Sequence, residues 1–332
     1  MEEGFRIWAN PSSPHAEGRK AKAALEDARE RVKRALGWDG EVIFTSGASE
    51  ALWIALNRAK VAHRIVSAVE HDAVFRAAPD AEVVPIADMM AEPDREALDA
   101  ALAKPGKAIV AIQSVNSETG TELIMPGSDH SRQIVERVRN AGGLFLADCS
   151  QSAGKRKIPD VDLAVVSAHK LGGPIGIGAL LVRDFTMLEP TGGHERGYRQ
   201  GTENLTAVLG LAAALEAGGN EAWPTDAGQR LDLRQRLGEY GELLIFGPQR
   251  SYICAVAHPT LSAQAQLIRL DAMGFAVSAG SACSSGTLKK SRVLDAFGLD
   301  DETAARTIRV SIGWNTTPED LDAFAEAWES LS

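Results

Sequence analysis

Cysteine is scarce in this sequence: Cys149, Cys254 and Cys283 are the only three in 332 residues. An odd number at such wide spacings fits neither a disulfide framework nor a paired-cysteine zinc site, so each is read as a single thiol. Histidine is sparse as well. The seven form no His-Glu-x-x-His pair and no cluster with cysteine at ligand spacing, so no metal site is expected. Excess positive charge is missing; the formal net charge of −10 is spread along the chain, which excludes a surface built for nucleic acid or anionic lipid. No apolar run approaches a bilayer span, 175–182 being far too short, and no basic-then-apolar leader opens the chain. A cytoplasmic protein with no membrane partner is expected. The pair Gly176-x-Gly178 lacks the third glycine of a dinucleotide fingerprint and does not sit between a strand and a helix. Internal repeats and low-complexity segments are also absent.

What is there is an ordinary globular composition, 45% hydrophobic, at a length that suits two domains or one large α/β domain. Residues 16–36 repeat apolar side chains at helical spacing among charges and meet Gly37, which reads as an amphipathic helix with its stop. Short apolar runs then alternate with helical patterns, at 41–45, 64–68, 108–113, 144–147, 162–166 and 178–182. That rhythm predicts a mainly parallel sheet wrapped by helices. After Thr202 the pattern changes to helices at 203–217 and 226–240, then strands at 242–246, 252–256, 275–278 and 307–312 with helices at 262–273, 288–296 and 318–331. The expected division is a large domain of residues 13–220 and a smaller α+β domain of 1–12 and 221–332.

The most informative stretch is Ser167-Ala168-His169-Lys170-Leu171-Gly172-Gly173-Pro174, which hangs one lysine on the end of an apolar strand, followed by glycine. A lysine desolvated there titrates low enough to attack a carbonyl, as a Schiff-base lysine for pyridoxal phosphate must. Taken alone, a Lys-Gly pair also reads as a solvated turn. Ligands of open parallel sheets sit beyond the carboxyl ends of the strands, so polar residues there belong together. Thr45 to Glu50 (TSGASE) opens a helix with hydroxyls and free N–H groups that suit a phosphate, or serve as a plain helix cap. Asp148 ends another strand with Gln151 three residues on, and a buried aspartate needs a cationic partner such as a protonated pyridine nitrogen. His71 follows a further strand end, as a ring to lie on a cofactor, a proton relay, or a cap.

These residues bring the chain to a family. It resembles the cysteine desulfurases of the class V aminotransferase group, in the branch serving iron-sulfur assembly and nitrogenase maturation. The matching segments run nearly end to end: NPSSPHAEGR (10–19), FTSGASEA (44–51), VEHDAV (69–74), VNSETG (115–120), ADCSQSAGK (147–155), SAHKLGGPIGIGAL (167–180), GGHERGYRQGTEN (192–204), VSAGSACSSG (277–286) and IRVSIG (308–313). The resemblance implies the fold of type I pyridoxal-phosphate transferases, with a mainly parallel seven-stranded-type sheet. It implies that Lys170 holds the cofactor covalently, His71 stacks on its ring, Asp148 pairs with the ring nitrogen and Gln151 contacts the phenolic oxygen. Ala48, Ser49, Ser167 and His169 are implied as the phosphate cradle. Thr202 is implied to reach the phosphate of a neighbouring subunit, hence a homodimer. Arg309 matches the clamp for the substrate carboxylate, a fitting role for a planar bidentate donor. Asn116 falls on the substrate side.

Cys283 matches the nucleophile, in a loop of small residues able to swing as sulfur delivery demands. Cys149 and Cys254 lie in or beside apolar strands and read as structural. The implied reaction converts L-cysteine to L-alanine and leaves a persulfide on Cys283 for an acceptor or scaffold protein, with Lys170 or His71 moving the α-proton. The sequence also departs from the family pattern. Only MEEGFRIWA precedes Asn10, Ser117 stands where the family has an asparagine beside the phenolic oxygen, and the stretch between Phe246 and Ser262 is short. The chain ends soon after Trp328. These departures imply a substrate-side wall partly missing or rebuilt, and a different acceptor or a completing partner. Two other functions compete: another amino-acid lyase or aminotransferase, such as a selenocysteine lyase, and a catalytically reduced, partner-dependent sulfur carrier.

Overall fold

The computed structural model describes residues 1–87, 91–279 and 291–331. Among them the strands are β1 (Glu41–Thr45), β2 (His63–Ser67), β3 (Glu82–Val84), β4 (Ala108–Gln113), β5 (Leu144–Asp148), β6 (Leu163–Ser167), β7 (Gly178–Val182), β8 (Glu242–Leu244), β9 (Ile253–Ala257), β10 (Ser278–Ala279) and β11 (Thr307–Ser311). The helices are α1 (Glu2–Arg6), α2 (Ala16–Leu36), α3 (Ala48–Arg58), α4 (Asp72–Ala77), α5 (Arg95–Leu102), α6 (Asp129–Asn140), α7 (Leu205–Glu216), α8 (Ala227–Tyr240), α9 (Ala263–Ala272), α10 (Arg292–Ala296), α11 (Asp301–Ala305) and α12 (Pro318–Glu329).

The first seven strands form one sheet in the order β1-β7-β6-β5-β4-β2-β3. Strands β6, β5, β4, β2 and β3 pair in parallel, and β7 is antiparallel to both β6 and β1. Two reversals restore direction, so β1 runs with the parallel set and its carboxyl end lies at the same edge as theirs. Strands β4 to β7 are buried at every position, which is why they read as continuous apolar runs rather than alternating ones. Their side chains divide with period two. Phe145 and Ala147 join a core with Leu25 and Val32 of α2 and Val208 of α7, while Leu144 and Leu146 join the opposite core with Leu52 and Ala55 of α3. Helix α2 buries Ala21, Leu25, Ala28, Val32 and Leu36 and ends at Gly37, whose φ of 63° is the left-handed cap that glycine adopts readily.

The last four strands form a second sheet, β10-β11-β9-β8, antiparallel throughout. Leu237 of α8, Val256, Ile308, Phe324 and Trp328 make its core. The two units share packing as well: Leu244, Phe246, Val293 and Phe297 belong to the core of the first, with the Phe246 and Phe297 rings stacked 4.3 Å apart.

Several sequence expectations shift. Strands β5 and β6 run one residue further than their apolar patterns, because pairing continues through Gln113 with Asp148 and Ser167 with Gly178. Among the described residues, the strand expected at 275–278 pairs at Ser278 and Ala279. Gly274, at φ 91°, and Phe275, whose N–H returns to Leu270, are spent on leaving α9. The short edge strand β3 was not legible from its pattern. Residues 1–12, expected with the small domain, begin with a helix that lies on α7 instead: a Cβ at Gly4 would stand 2.7 Å from the Thr206 Cα. No helix of the described residues is long and apolar enough to cross a membrane.

Candidate active site

Because β1, β2, β4, β5 and β6 all end at one edge, the segments that follow them meet there, around a cavity of about 560 Å³. Ser46 to Ser49, His71, Asp148, Gln151, His169 and Lys170 line it from the large sheet, and Arg309 of β11 closes it from the small one.

Lys170 ends a single 3-10 turn directly after β6. Its side chain is exposed, where the sequence suggested a desolvated amine; the turn carries it off the buried strand and into the open cavity. The Ser167 hydroxyl and His169 Nδ1 lie 3.1 Å apart beside it. Burial, with a smaller push from the Lys170 charge, lowers the His169 pKa.

Facing this turn is the start of α3. Its N-cap is Gly47, at φ 153° and ψ −177°, a conformation essentially reserved for glycine, and no side chain caps the helix. The first-turn N–H groups of an eleven-residue helix are therefore left to an outside acceptor, which suits an anion. Glu50 is turned away from that role: its carboxylate takes the Ser46 N–H and pairs with Arg199 Nε at 3.2 Å.

His71 caps α4, accepting the Ala73 N–H on Nδ1 at 3.1 Å, so the neutral ring carries its proton on Nε2. Cap and cavity wall are thus one residue. Burial lowers its pKa from the ordinary 6.5, opposed by Asp148 and Asp72 and aided by Arg76 and Lys170. The folded chain thus binds this proton less readily than the unfolded chain. Over the range just below pH 6.5 the unfolded state holds more protons, and stability falls as pH falls. Replacing His71 with Asn, which keeps a capping acceptor, is expected to flatten the decline of the urea midpoint between pH 7 and 5; an unchanged decline would assign it to other groups.

Asp148, at the end of β5, is buried; its Oδ1 accepts the Ser150 N–H at 2.9 Å and the Ser150 hydroxyl at 2.5 Å. Gln151 is half-buried on the following turn. Arg309 donates from Nη1 to the Ser117 carbonyl at 3.1 Å and from Nη2 to the Ser278 hydroxyl at 2.9 Å, which sets the plane of its guanidinium at the cavity wall.

Two expected site residues fall elsewhere. Asn116 is fully buried and outside the cavity lining. Its Nδ2 donates to the Val69 carbonyl at 3.1 Å, and its Oδ1 accepts from Glu118 N, Thr119 N and the Thr119 hydroxyl. Those bonds shape the turn after β4 and tie it to the loop after β2, and they turn the Asn116 side chain away from the cavity where a substrate role was expected of it. Thr202 is exposed and does not line this cavity. Ser117 does line it. Cys283 lies outside the described residues.

The cavity also holds residues to which the sequence assigned no role. Glu70 is buried, one oxygen accepting the Gln113 N–H at 2.8 Å, and burial raises its pKa well above the usual carboxylate value. Glu118 accepts the Ser291 hydroxyl at 2.6 Å, and burial raises its pKa too. Arg292 pairs with Asp72 at 2.9 Å and lies over the Phe75 ring at 4.1 Å. Glu70 and Glu118 sit inside the segments VEHDAV and VNSETG, which was the available signal; nothing in the sequence marked Arg292.

The chain is similar to known proteins over most of its length. A family model described as aminotransferase class-V matches residues 3–324. The curated cysteine desulfurase IscS 1 of Archaeoglobus fulgidus is 31% identical, over 96% of this chain and 88% of its own. Among solved structures, a NifS-like protein from Rickettsia africae superposes with a TM-score of 0.84 at 26% identity, covering 99% of this chain and 93% of the other. A protein called SspA, solved in complex with cysteine, gives 0.76 at 27% identity over 94% and 93%.

Proposed function

The chain belongs to the aminotransferase class-V family, among the cysteine desulfurases, and we propose that it takes sulfur from L-cysteine with the help of pyridoxal 5'-phosphate, leaving L-alanine and a persulfide for an acceptor. The observation that carries this reading is one cavity lined by a lysine amine, an uncapped helix start, a buried aspartate and an arginine. The donor set fits the cofactor at each end: N–H groups of α3 with Ser49, Ser167 and His169 for the phosphate, and Asp148 for a protonated ring nitrogen.

Bound there, the cofactor supplies an electron sink for the substrate's α-carbon. Lys170 Nζ would hold it covalently, and the same amine, once released, would take and return the substrate's α-proton. The imidazole of His71, neutral at pH 7, lines the cavity and would lie against the ring of the bound cofactor, with Nε2–H available to the reacting side. Arg309 receives the substrate carboxylate on its two N–H edges. The Cys283 thiolate attacks the substrate sulfur: an S–S bond forms as the Cβ–S bond breaks, the electron pair passes to the substrate carbons, and protons there complete alanine. The exposure of Thr202 outside its own cavity supports its reaching a second copy, and hence a homodimer. Free buried thiols at Cys149 and Cys254 fit a reducing compartment such as the cytoplasm.

Incubation of the cofactor-loaded protein with L-cysteine and a thiol reductant tests the reading. Alanine and sulfide are expected in equal amounts. Ammonia and pyruvate, or a keto acid without sulfide, would point instead to a lyase or an aminotransferase.

A further inference from the structure

The turn that carries Gln151 into the cavity is gripped from behind. Its main-chain carbonyl accepts two hydrogen bonds, from Lys155 Nζ at 3.0 Å and from the Tyr252 hydroxyl at 3.1 Å. Neither donor comes from the turn's own backbone ladder, and Tyr252 comes from the other unit of the molecule. The two are also bound to each other: the Lys155 ammonium lies over the Tyr252 ring at 4.7 Å and over the Trp223 ring at 6.0 Å. Tyr252 is 1% exposed, and burial raises its hydroxyl pKa, so it remains a donor at neutral pH.

Tyr252 stands immediately before β9, and its own carbonyl accepts the Ile312 N–H at 2.9 Å. Strand β9 pairs with β11 through Ala255 and Arg309. The residue that follows the strand bearing Arg309 is therefore hydrogen-bonded to the main chain of Tyr252, whose side chain in turn reaches the carbonyl of Gln151. A carbonyl that loses both donors inside the protein is left unsatisfied, and the short turn around it relaxes toward water.

We propose that Lys155 and Tyr252 are positioning residues of the cofactor site, acting as a two-armed clamp on the Gln151 carbonyl that fixes the Gln151 side chain and links the substrate-carboxylate strand to it. This rests on the cofactor reading above, in which Gln151 contacts the phenolic oxygen. Neither residue lines the cavity. Lys155 uses its long stem to reach back four residues, and its amine, buried and near the charged Lys170, titrates at about 7. Protonated or neutral, it keeps N–H groups to donate to the carbonyl.

The test is the pH titration of the bound cofactor's visible absorbance, which reports on hydrogen bonding at the phenolic oxygen, with cofactor affinity measured alongside. Gln151→Ala serves as the reference for losing that contact. Tyr252→Phe, which removes one hydroxyl and keeps the ring packing, and Lys155→Met are each expected to move the midpoint in the direction of Gln151→Ala and to weaken cofactor binding about threefold to tenfold. Lys155→Arg, which restores a donor, is expected to return the midpoint most of the way to wild type. Midpoints equal to wild type in both Tyr252→Phe and Lys155→Met, while Gln151→Ala moves, overturn the clamp and leave the cofactor reading intact. A wild-type protein that acquires no such absorbance with pyridoxal 5'-phosphate overturns the cofactor reading itself, and the clamp with it.

Discussion

The Lys170→Ala protein is expected to fold normally and to have lost at least about a thousandfold in turnover of L-cysteine. The two halves of that result have separate causes. Lys170 is exposed on a 3-10 turn beyond the end of β6, so removing its side chain opens no cavity in the core; such surface truncations change stability by roughly 0.5 kcal/mol or less. Its amine is the group proposed to hold the cofactor and to move the α-proton, and neither task can be taken over by a methyl group. Borohydride reduction should fix pyridoxal phosphate onto a peptide containing residue 170 in the wild type and onto none in the variant. A label on the Lys155 peptide instead would transfer the role, because that amine, drawn out of water and close enough to feel the Lys170 charge, titrates at about 7 and so has a chemically available lone pair.

The second large effect concerns Cys283. Among the described residues the thiols are Cys149 and Cys254, both buried, with burial pushing their pKa values up to about 12 and about 11. At neutral pH each is a protonated, inaccessible thiol and a poor nucleophile. If sulfur leaves cysteine by attack of a protein thiolate, Cys283 is the thiol left to deliver it. Replacing Cys283 with Ala should lower sulfide and alanine formation about a thousandfold, while addition of L-cysteine still perturbs the cofactor absorbance, since the other substrate contacts remain. Sulfide release that survives in Cys283→Ala would mean that the C–S bond is broken by elimination, with no persulfide.

The departures of this sequence from its family acquire a physical content beside these predictions. Ser117 replaces an asparagine expected near the phenolic oxygen, and it still lines the cavity, where its carbonyl also anchors Arg309. The side-chain hydrogen bonds of the neighbouring Asn116, which sequence reasoning placed on the substrate, run from its own turn to Oδ1 and from Nδ2 to the Val69 carbonyl after β2. An asparagine in a motif does not reveal whether its amide faces a ligand or its own backbone; the direction of the side chain decides, and that follows from how the turn after β4 is packed.

By itself the sequence determined the local elements and the chemistry available. Apolar runs bounded by polar residues gave β1 to β7 to within a residue or two, apart from the short edge strand β3. The spacing of Ala21, Leu25, Ala28 and Val32 gave α2, and the order of polar residues after the strands gave Lys170, Asp148 and His71 as a set. These are short-range properties, fixed by hydrophobic periodicity and by which side chains carry donors, acceptors and charge. Tertiary structure alone decided how those residues face one another. The antiparallel placement of β7 between β1 and β6 brings the start of α3 to the same edge as Lys170, and packing with the small sheet brings in Arg309 and Tyr252. Solvent exposure was decided there too: Lys170 projects into open space, whereas the half-buried Lys155, fifteen residues earlier and unremarkable in sequence, has its amine drawn out of water by the fold. Burial and electrostatic environment are sums over neighbours that are distant in the chain, so they exist only once the chain has folded.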